Sequence, residues 1–309
     1  MVDSVHRFAR RLGRGFLLAL GAAVLLWVGL GQPHRARPAH AARWIEAAGV
    51  RTRAVIAGRG DTTLVFLHGY GESLLSWRAL LDRFTRRYRV IAVDLPGFGM
   101  AQSRDFGYDL PSYERWLDSV LARYTSGPIV VVGHSMGGEL AAGLALAHPD
   151  RVVAAVLLAP AGAGVNPVFS DTTSIVSPAA RWVASAFSYV MPAHDSAWLR
   201  ESPADLLPDP AADSANQEAA RLILQRFDFA ALEHRFGAIR QPVLLIWGRQ
   251  DPTIPLKIGD RITAALPCRR FVQLFTLHRP HQTLPDTVAA EMRAFLGHPE
   301  CENSVTGRQ

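Results

Sequence analysis

The sequence predicts an α/β fold with a mainly parallel central sheet, and two observations support this. Short apolar runs rich in β-branched residues alternate with segments of helical apolar spacing, which is typical of βαβ units. These runs are almost continuously apolar, as in a sheet that helices cover on both faces. The alternation stops between residues 163 and 240 and then resumes. With 309 residues, 49% of them hydrophobic and 19% charged, the chain can form one large domain with an insertion.

An apolar segment near the N-terminus predicts an export signal or a membrane anchor. Residues 16–31 carry no charge, and four arginines precede them: Arg7, Arg10, Arg11 and Arg14. The segment would span about 24 Å as a helix, slightly less than a hydrocarbon core of about 30 Å. Ala39-His40-Ala41 could be a cleavage site, but it lies well beyond the segment. We therefore expect an uncleaved N-terminal hydrophobic helix with the remaining chain extracytoplasmic, the alternative being a secreted or periplasmic protein after signal cleavage.

The positive charge is concentrated in the same part of the chain. Residues 1–41 hold six arginines and one acid, and so account for five of the six net positive charges. The other 268 residues are nearly neutral and have no basic stripe interleaved with aromatic residues. We therefore expect the N-terminal segment to bind a membrane, and we expect no nucleic-acid partner.

The strands and helices follow in order after this leader. Strands are predicted within 42–57 and at 64–67, 89–93, 128–132, 152–158, 242–247 and 271–277, with helices at 74–87, 111–124, 138–147 and 288–296. The stretch between the two sheet-forming parts is helical, interrupted by prolines and rich in aromatic residues. The chain thus divides into seven parts: a basic region (1–15), an apolar segment (16–31), a linker (32–45), a first core part (46–162), a helical insertion (163–240), a second core part (241–298) and a polar tail (299–309).

The most informative motif is Gly133-His134-Ser135-Met136-Gly137. It follows a buried strand and precedes a helix with small residues on one face, which is the context of a G-x-S-x-G nucleophile elbow. The turn is tight, so glycine is needed two positions before and two after the serine, at Gly133 and Gly137. The hydroxyl of Ser135 is therefore predicted to project beside a helix N-terminus as a nucleophile.

A serine nucleophile needs a base, and the base needs an orienting acid. Asp251 follows the apolar strand predicted at 242–247 and is the acid candidate. Two histidines, His278 and His281, follow the last predicted strand and compete for the role of base. The oxyanion of an acyl-transfer reaction needs two N–H donors. The residue after the nucleophile, Met136, supplies one, and Tyr70, just after the strand at 64–67, is the candidate for the other.

Four motifs together resemble the α/β-hydrolase superfamily, over roughly residues 50–297. They are His68-Gly69-Tyr70-Gly71 with Trp77, Asp94-Leu95-Pro96-Gly97-Phe98-Gly99, the serine motif extended to Gly138, and the segments from Gly248 to Pro255 and from His278 to Asp286. Within the superfamily the chain is similar to lid-bearing serine hydrolases, a group that includes esterases, monoacylglycerol-lipase-like enzymes and carbon–carbon bond hydrolases. The family pattern around the base falls on His278 and leaves His281 as the alternative, although Leu277 stands where glycine is usual.

The resemblance implies a central sheet of α/β-hydrolase type, with residues 163–240 as a helical lid, and cleavage of a carboxylic ester of a small apolar substrate through an acyl-enzyme. A carbon–carbon bond hydrolase, a thioesterase, an acyltransferase or a perhydrolase would carry the same motifs, and a non-catalytic binding protein is a further alternative. Neither an organic cofactor nor a metal is required for this chemistry. Cys268 and Cys301 lack the spacing of a metal site, and whether they pair is left open by the sequence.

Overall fold

The computed structural model describes residues 42–102, 105–164, 210–299, 301 and 304–307. The basic region and apolar segment predicted at 1–31, most of the linker predicted at 32–45, and residues 165–209 of the predicted insertion lie outside this part of the chain. Across the ranges that are described, no helix has both the length and the apolar character that crossing a bilayer requires.

One sheet of nine strands organises the described residues. The strands are β1 (Arg43–Ala47), β2 (Val50–Ala57), β3 (Thr63–Leu67), β4 (Arg89–Val93), β5 (Ile129–His134), β6 (Val152–Leu158), β7 (Val243–Gly248), β8 (Arg269–Leu274) and β9 (Ser304–Gly307). They lie in the order β1-β2-β4-β3-β5-β6-β7-β8-β9. The pairs β1–β2 and β2–β4 are antiparallel and every later pair is parallel, which agrees with the mainly parallel sheet predicted from the sequence.

Helices cover both faces of this sheet. They are α1 (Arg78–Leu81), α2 (Leu110–Tyr124), α3 (Met136–Ala147), α4 (Pro210–Arg226), α5 (Leu256–Ala265), α6 (Pro280–Thr283) and α7 (Pro285–Gly297), with 3₁₀ turns at Leu74–Trp77 and Phe236–Ala238. Because side chains alternate along a strand, Val65 and Leu67 pack in one core layer with α2 and α3. Leu64 and Phe66 point the other way and pack with α1 and α7. Burial on both faces explains why the strands are almost continuously apolar.

Several boundaries differ from those predicted. The linker predicted at 32–45 overlaps β1, because Ile45 and Ala47 alternate with exposed residues and bury their side chains. The turn Ala48-Gly49 joins β1 to β2 with φ of 46° and 76°, as in the two-residue hairpins that match strand twist. The helix predicted at 74–87 ends at Leu81, because the chain then turns through 3₁₀-type bonds, such as that from the N–H of Arg83 to the carbonyl of Leu80, to reach β4.

The last strand predicted, at 271–277, is also shorter than expected. Strand β8 ends at Leu274 because the chain turns there, with the N–H of Thr276 donating to the carbonyl of Leu274. The tail predicted as polar at 299–309 contains β9, which pairs in parallel with β8. Cys268 and Cys301 form a disulfide bond that ties the start of β8 to the segment before β9.

Candidate active site

The carboxyl ends of the parallel strands bring the predicted site residues to one edge of the sheet. Tyr70 follows β3, Ser135 follows β5, Asp251 follows β7 and His278 follows β8. The register of β3 with β5 places Leu67 opposite Gly133, so the loops that leave these two strands begin side by side. This is the edge at which open α/β sheets bind their ligands.

Ser135 occupies a strained turn between β5 and α3. Its φ of 53° and ψ of −120° lie where non-glycine residues are rarely found. A Cβ atom at Gly133 would lie 2.1 Å from the carbonyl oxygen of Gly137, and one at Gly137 would lie 2.2 Å from the carbonyl oxygen of Leu67. Both positions therefore exclude any side chain, and the close packing that they allow holds Ser135 in its conformation.

Asp251 and His278 form a hydrogen-bonded pair. The Nδ1 atom of His278 lies 2.7 Å from the Oδ2 atom of Asp251. The other oxygen, Oδ1, accepts the backbone N–H groups of Thr253 and Ile254 at 2.8 and 2.9 Å, which fixes the carboxylate. Burial lowers the pKa of His278 below its ordinary 6.5, and the hydrogen bond to Asp251 partly opposes this. The pair therefore presents a neutral, oriented imidazole at neutral pH.

No hydrogen bond joins the hydroxyl of Ser135 to His278. The two residues are linked through His134, whose ring lies 4.7 Å from the ring of His278 between centroids. In structures without substrate, the bond between a nucleophile and its base is often long or misaligned. The geometry thus brings the acid and the proposed base into contact and places the serine on the adjoining turn.

His281 lies in a different environment from His278. Its ring is completely buried, 4.4 Å from the ring of Trp77 and 4.5 Å from that of His134. It makes no hydrogen bond to Asp251, and its Nδ1 atom has no partner among the described residues. Burial lowers the pKa of His281 well below its ordinary 6.5. These contacts suit a neutral histidine that packs beneath the site.

The two oxyanion-hole candidates both lie close to Ser135. Met136 is the first residue of α3, so its N–H is among those that have no acceptor within the helix. Tyr70 lies in a tight turn in which the N–H of Glu72 donates to the carbonyl of Gly69, while Gly71 has a φ of 71°. A Cβ atom at Gly69 would lie 3.1 Å from the Cβ atom of Ser135, so this turn passes directly beside the serine.

Part of the predicted insertion packs against the same loops. The hydroxyl of Tyr70 donates to the carbonyl of Ala220 in α4, and the side chain of Asn216 donates to the carbonyl of Gly99. Ala219 and Ile223 of α4 lie against Gly97. Helix α4 therefore covers the loops that follow β3 and β4.

Two buried carboxylates near the serine were not among the residues predicted from the sequence. Glu72, two residues after Tyr70, is paired with His134 at 3.2 Å and with Arg279 at 2.7 Å. Glu139, one turn after Ser135 in α3, is buried; burial and the nearby charge of Asp228 raise its pKa well above 4.5. Each carboxylate stands directly after a glycine of a motif, Gly71 or Gly138. Its position in the sequence does not, however, predict which residue it contacts.

One group in the described part of the chain has the composition of a metal site. Glu72, His134 and His281 each offer a donor atom, and the three atoms lie within 4.8 Å of one another. The carboxylate of Glu72 is, however, already paired with the cation of Arg279 and accepts the N–H of Gly69. The negative charge of this carboxylate is thus already balanced by Arg279 and by the N–H of Gly69.

Comparisons with known proteins agree with this architecture. A family model described as the alpha/beta hydrolase fold matches residues 62–277. The chain is similar to the pimeloyl-[acyl-carrier protein] methyl ester esterase of Nitrosomonas europaea, with 32% identity over 72% of this chain and 91% of that protein. It is also similar to a 2-hydroxy-6-oxononadienedioate/2-hydroxy-6-oxononatrienedioate hydrolase of Paraburkholderia phymatum, with 30% identity over 69% of this chain and 79% of that protein.

Among solved structures, the fold is shared with a membrane phospholipase A described as a bacterial virulence factor. The superposition has a TM-score of 0.69 at 24% identity and covers 95% of this chain and 98% of the other. At this identity the likeness concerns the fold.

Proposed function

We propose that this chain, which belongs to the alpha/beta hydrolase fold family and is a hydrolase, cleaves a carboxylic ester of an apolar substrate with Ser135 as nucleophile. The observation that carries the proposal is the hydrogen bond between His278 and Asp251, at the same sheet edge as the strained turn of Ser135. A serine with φ of 53°, enclosed by two glycines that admit no side chain, is costly to maintain and is typical of a nucleophile.

The proposed reaction proceeds in two halves. Ser135 Oγ attacks the ester carbonyl carbon while its proton passes to Nε2 of His278, and the N–H groups of Met136 and Tyr70 bind the oxyanion. Asp251 holds the Nδ1–H tautomer of His278 and stabilises the imidazolium that forms. The intermediate then expels the alcohol, which takes the proton from His278. Water attacks the acyl-enzyme in the same way, releasing the carboxylic acid and restoring Ser135.

An apolar substrate is favoured by the surroundings of the site. The ring of Phe98 packs edge-on against that of Tyr70 at 5.3 Å, and Ala219 and Ile223 of α4 are buried close by. Sites for small molecules are predominantly apolar with few oriented polar groups. We propose that residues 163–240, of which α4 is part, form the lid over this site.

An extracytoplasmic location forms part of the same proposal. The disulfide between Cys268 and Cys301 is of a kind that persists in oxidising compartments, and the sequence of residues 1–31 predicts a leader or anchor. Proteolysis of intact cells tests it: a protease added outside should digest the hydrolase part of a protein retained by its N-terminal segment. Digestion only after the inner membrane is broken would contradict this location.

A carbon–carbon bond hydrolase is the second candidate. It is favoured by the 30% identity with the hydrolase of Paraburkholderia phymatum, whose name describes a dienedioate substrate. The same serine, base and oxyanion donors serve both reactions, so the fold does not choose between them.

The deciding experiment is hydrolysis of p-nitrophenyl esters, from acetate to a long acyl chain, by the full chain in detergent. The parent should hydrolyse them, and Ser135→Ala should lose nearly all activity while unfolding at the same temperature. A fluorophosphonate probe should label the parent and not the variant. Parent protein that is folded and labelled but cleaves only a vinylogous diketone would shift the assignment to the second candidate; folded parent that neither reacts nor labels would refute both.

A further inference from the structure

A chain of buried polar contacts connects three loops at the site. The ring of His134, the residue before the proposed nucleophile, is 1% exposed. Its Nε2 atom lies 2.9 Å from the backbone carbonyl oxygen of His278, and its Nδ1 atom lies 3.2 Å from Oε2 of Glu72. Glu72 belongs to the turn that carries Tyr70, so one imidazole contacts both the loop of the base and the loop of the oxyanion donor.

The contacts around His134 and Glu72 determine the charge of Glu72. A carbonyl oxygen and a carboxylate oxygen only accept hydrogen bonds, so each ring nitrogen of His134 faces an acceptor. Burial alone would raise the pKa of Glu72, but the charge and hydrogen bond of His134 and the charge of Arg279 hold it well below 4.5. Glu72 is therefore a carboxylate, and it lies buried in contact with His134.

The pair also reaches the backbone of the oxyanion turn. The Oε2 atom of Glu72 accepts the N–H of Gly69 at 3.1 Å. Gly69 directly precedes Tyr70 and lies so close to the elbow that a Cβ there would be 2.9 Å from Nδ1 of His134. A shift of Glu72 or His134 would thus move the Tyr70 turn and the His278 backbone relative to Ser135.

We propose that Glu72 and His134 are positioning residues that hold the oxyanion turn and the loop of the base in register with Ser135. The inference rests on the proposed function, because the residues act through Tyr70 and His278. It assigns catalytic importance to a side chain at position 72 that touches no reacting atom. The charge of Glu72 and both ring nitrogens of His134 are required, since no neutral replacement of Glu72 and no shorter replacement of His134 keeps all the contacts.

Substitutions that keep the shape test this requirement. In Glu72→Gln, the amide nitrogen must face either the N–H of Gly69 or the guanidinium of Arg279, so one donor meets another. In His134→Asn, the shorter side chain cannot reach both Glu72 and the carbonyl of His278. Each change should lower kcat about 10²-fold with little change in KM, the size of loss expected when reacting groups are misplaced by about 1 Å.

A double-mutant cycle on p-nitrophenyl butyrate distinguishes a functional pair from two independent residues. If Glu72 and His134 act together, the double variant should lose about as much kcat as either single variant, rather than about 10⁴-fold. A matched control is the partly exposed pair of His148 and Asp118, whose Nε2 and Oδ1 atoms lie 2.6 Å apart. His148→Asn and Asp118→Asn should leave kcat unchanged.

The pH profile supplies a readout that a purely structural role would not move. The charged groups that act on His278 are Asp251, His134 and Glu72; His134 lowers the pKa of His278 and the two carboxylates raise it. His134→Asn should therefore move the acid limb of kcat/KM to higher pH, because it removes a group that lowers the pKa of His278. Adding Glu72→Gln should move the limb back, because it also removes the anion.

Active-site titration with a fluorophosphonate keeps the test valid for variants that fold poorly, since kcat is then expressed per reactive Ser135. Glu72→Asp, which retains the charge, should recover more kcat than Glu72→Gln. Additive losses in the cycle, or an acid limb that does not move in His134→Asn, would overturn the positioning role. A parent without Ser135-dependent activity would instead refute the proposed function itself, so the two failures are distinguishable.

Discussion

Replacing Asp251 with asparagine tests how the acid controls the proposed base. The Oδ1 atom of Asp251 accepts two backbone N–H groups, from Thr253 and Ile254, so the asparagine must place its own oxygen there. Its NH₂ group then faces Nδ1 of His278, where the carboxylate oxygen now lies at 2.7 Å. Because NH₂ only donates at that position, Nδ1 must become an acceptor, and the ring proton moves to Nε2.

The wrong tautomer removes the base without removing the histidine. An Nε2 atom that carries a proton cannot take one from Ser135, and a loss of about 10⁴-fold in kcat is expected for such a change. At about 1.36 kcal/mol per factor of ten, this corresponds to about 5.4 kcal/mol of transition-state stabilisation. KM should change little, because neither Asp251 nor its replacement contacts the substrate in the proposed reaction.

Steady-state hydrolysis of p-nitrophenyl butyrate, per titrated Ser135, measures this loss. Asp118→Asn removes the same charge from a half-exposed surface position and should retain full activity. A variant of Asp251 that retained a tenth of the parental kcat would show that orientation of the tautomer by this acid is not needed.

The remaining predictions concern the base, a buried carboxyl and the disulfide. His278→Ala should lose about 10⁴- to 10⁶-fold in kcat, whereas His281→Ala should lose less than about tenfold per titrated site, and the reverse order would exchange their roles. The raised pKa of Glu139 means that the folded parent loses stability as pH rises above 4.5, because the buried carboxyl must then ionise. The free energy of unfolding of Glu139→Gln minus that of the parent should therefore increase as pH rises above 4.5. A difference independent of pH would contradict this. Reduction of the Cys268–Cys301 bond, which closes a separation of 33 residues, should lower the free energy of unfolding in urea by about 3–4 kcal/mol, and a Cys268→Ser/Cys301→Ser variant should be insensitive to reductant.

Local patterns predicted most of the sheet because most of its strands are buried on both faces. A run such as residues 64–67 is apolar at every position, and the structure extends it by only one residue. The prediction for residues 74–87 was wrong at its end, since helical apolar spacing continues to Phe84 while the chain must already turn toward β4. The tail at 299–309 shows the complementary case, because β9 depends on a partner strand and a disulfide that no local pattern reveals.

Site residues were predictable where the residues that shape a turn and the functional residue in that turn lie in the same short segment. The elbow is of this kind: the glycines that permit the turn stand within two positions of Ser135. The pairing of Asp251 with His278 joins segments 27 residues apart, and only the order of acid and base along the chain anticipated it. The catalytic roles of Ser135, Asp251 and His278 stay predictions until the variants above are measured.

The contact between Glu72 and His134 spans 62 residues, yet strand register makes it a consequence of the fold. Since Leu67 of β3 is paired with Gly133 of β5, the next residues along the chain, His68 and His134, lie side by side at the carboxyl ends of these strands. A turn that begins at Gly69 and reverses within three residues then returns Glu72 toward His134. An acid at position 72 is thereby directed at the residue before the serine, so the fold creates the site for this contact, and the choice of Glu and His fills it.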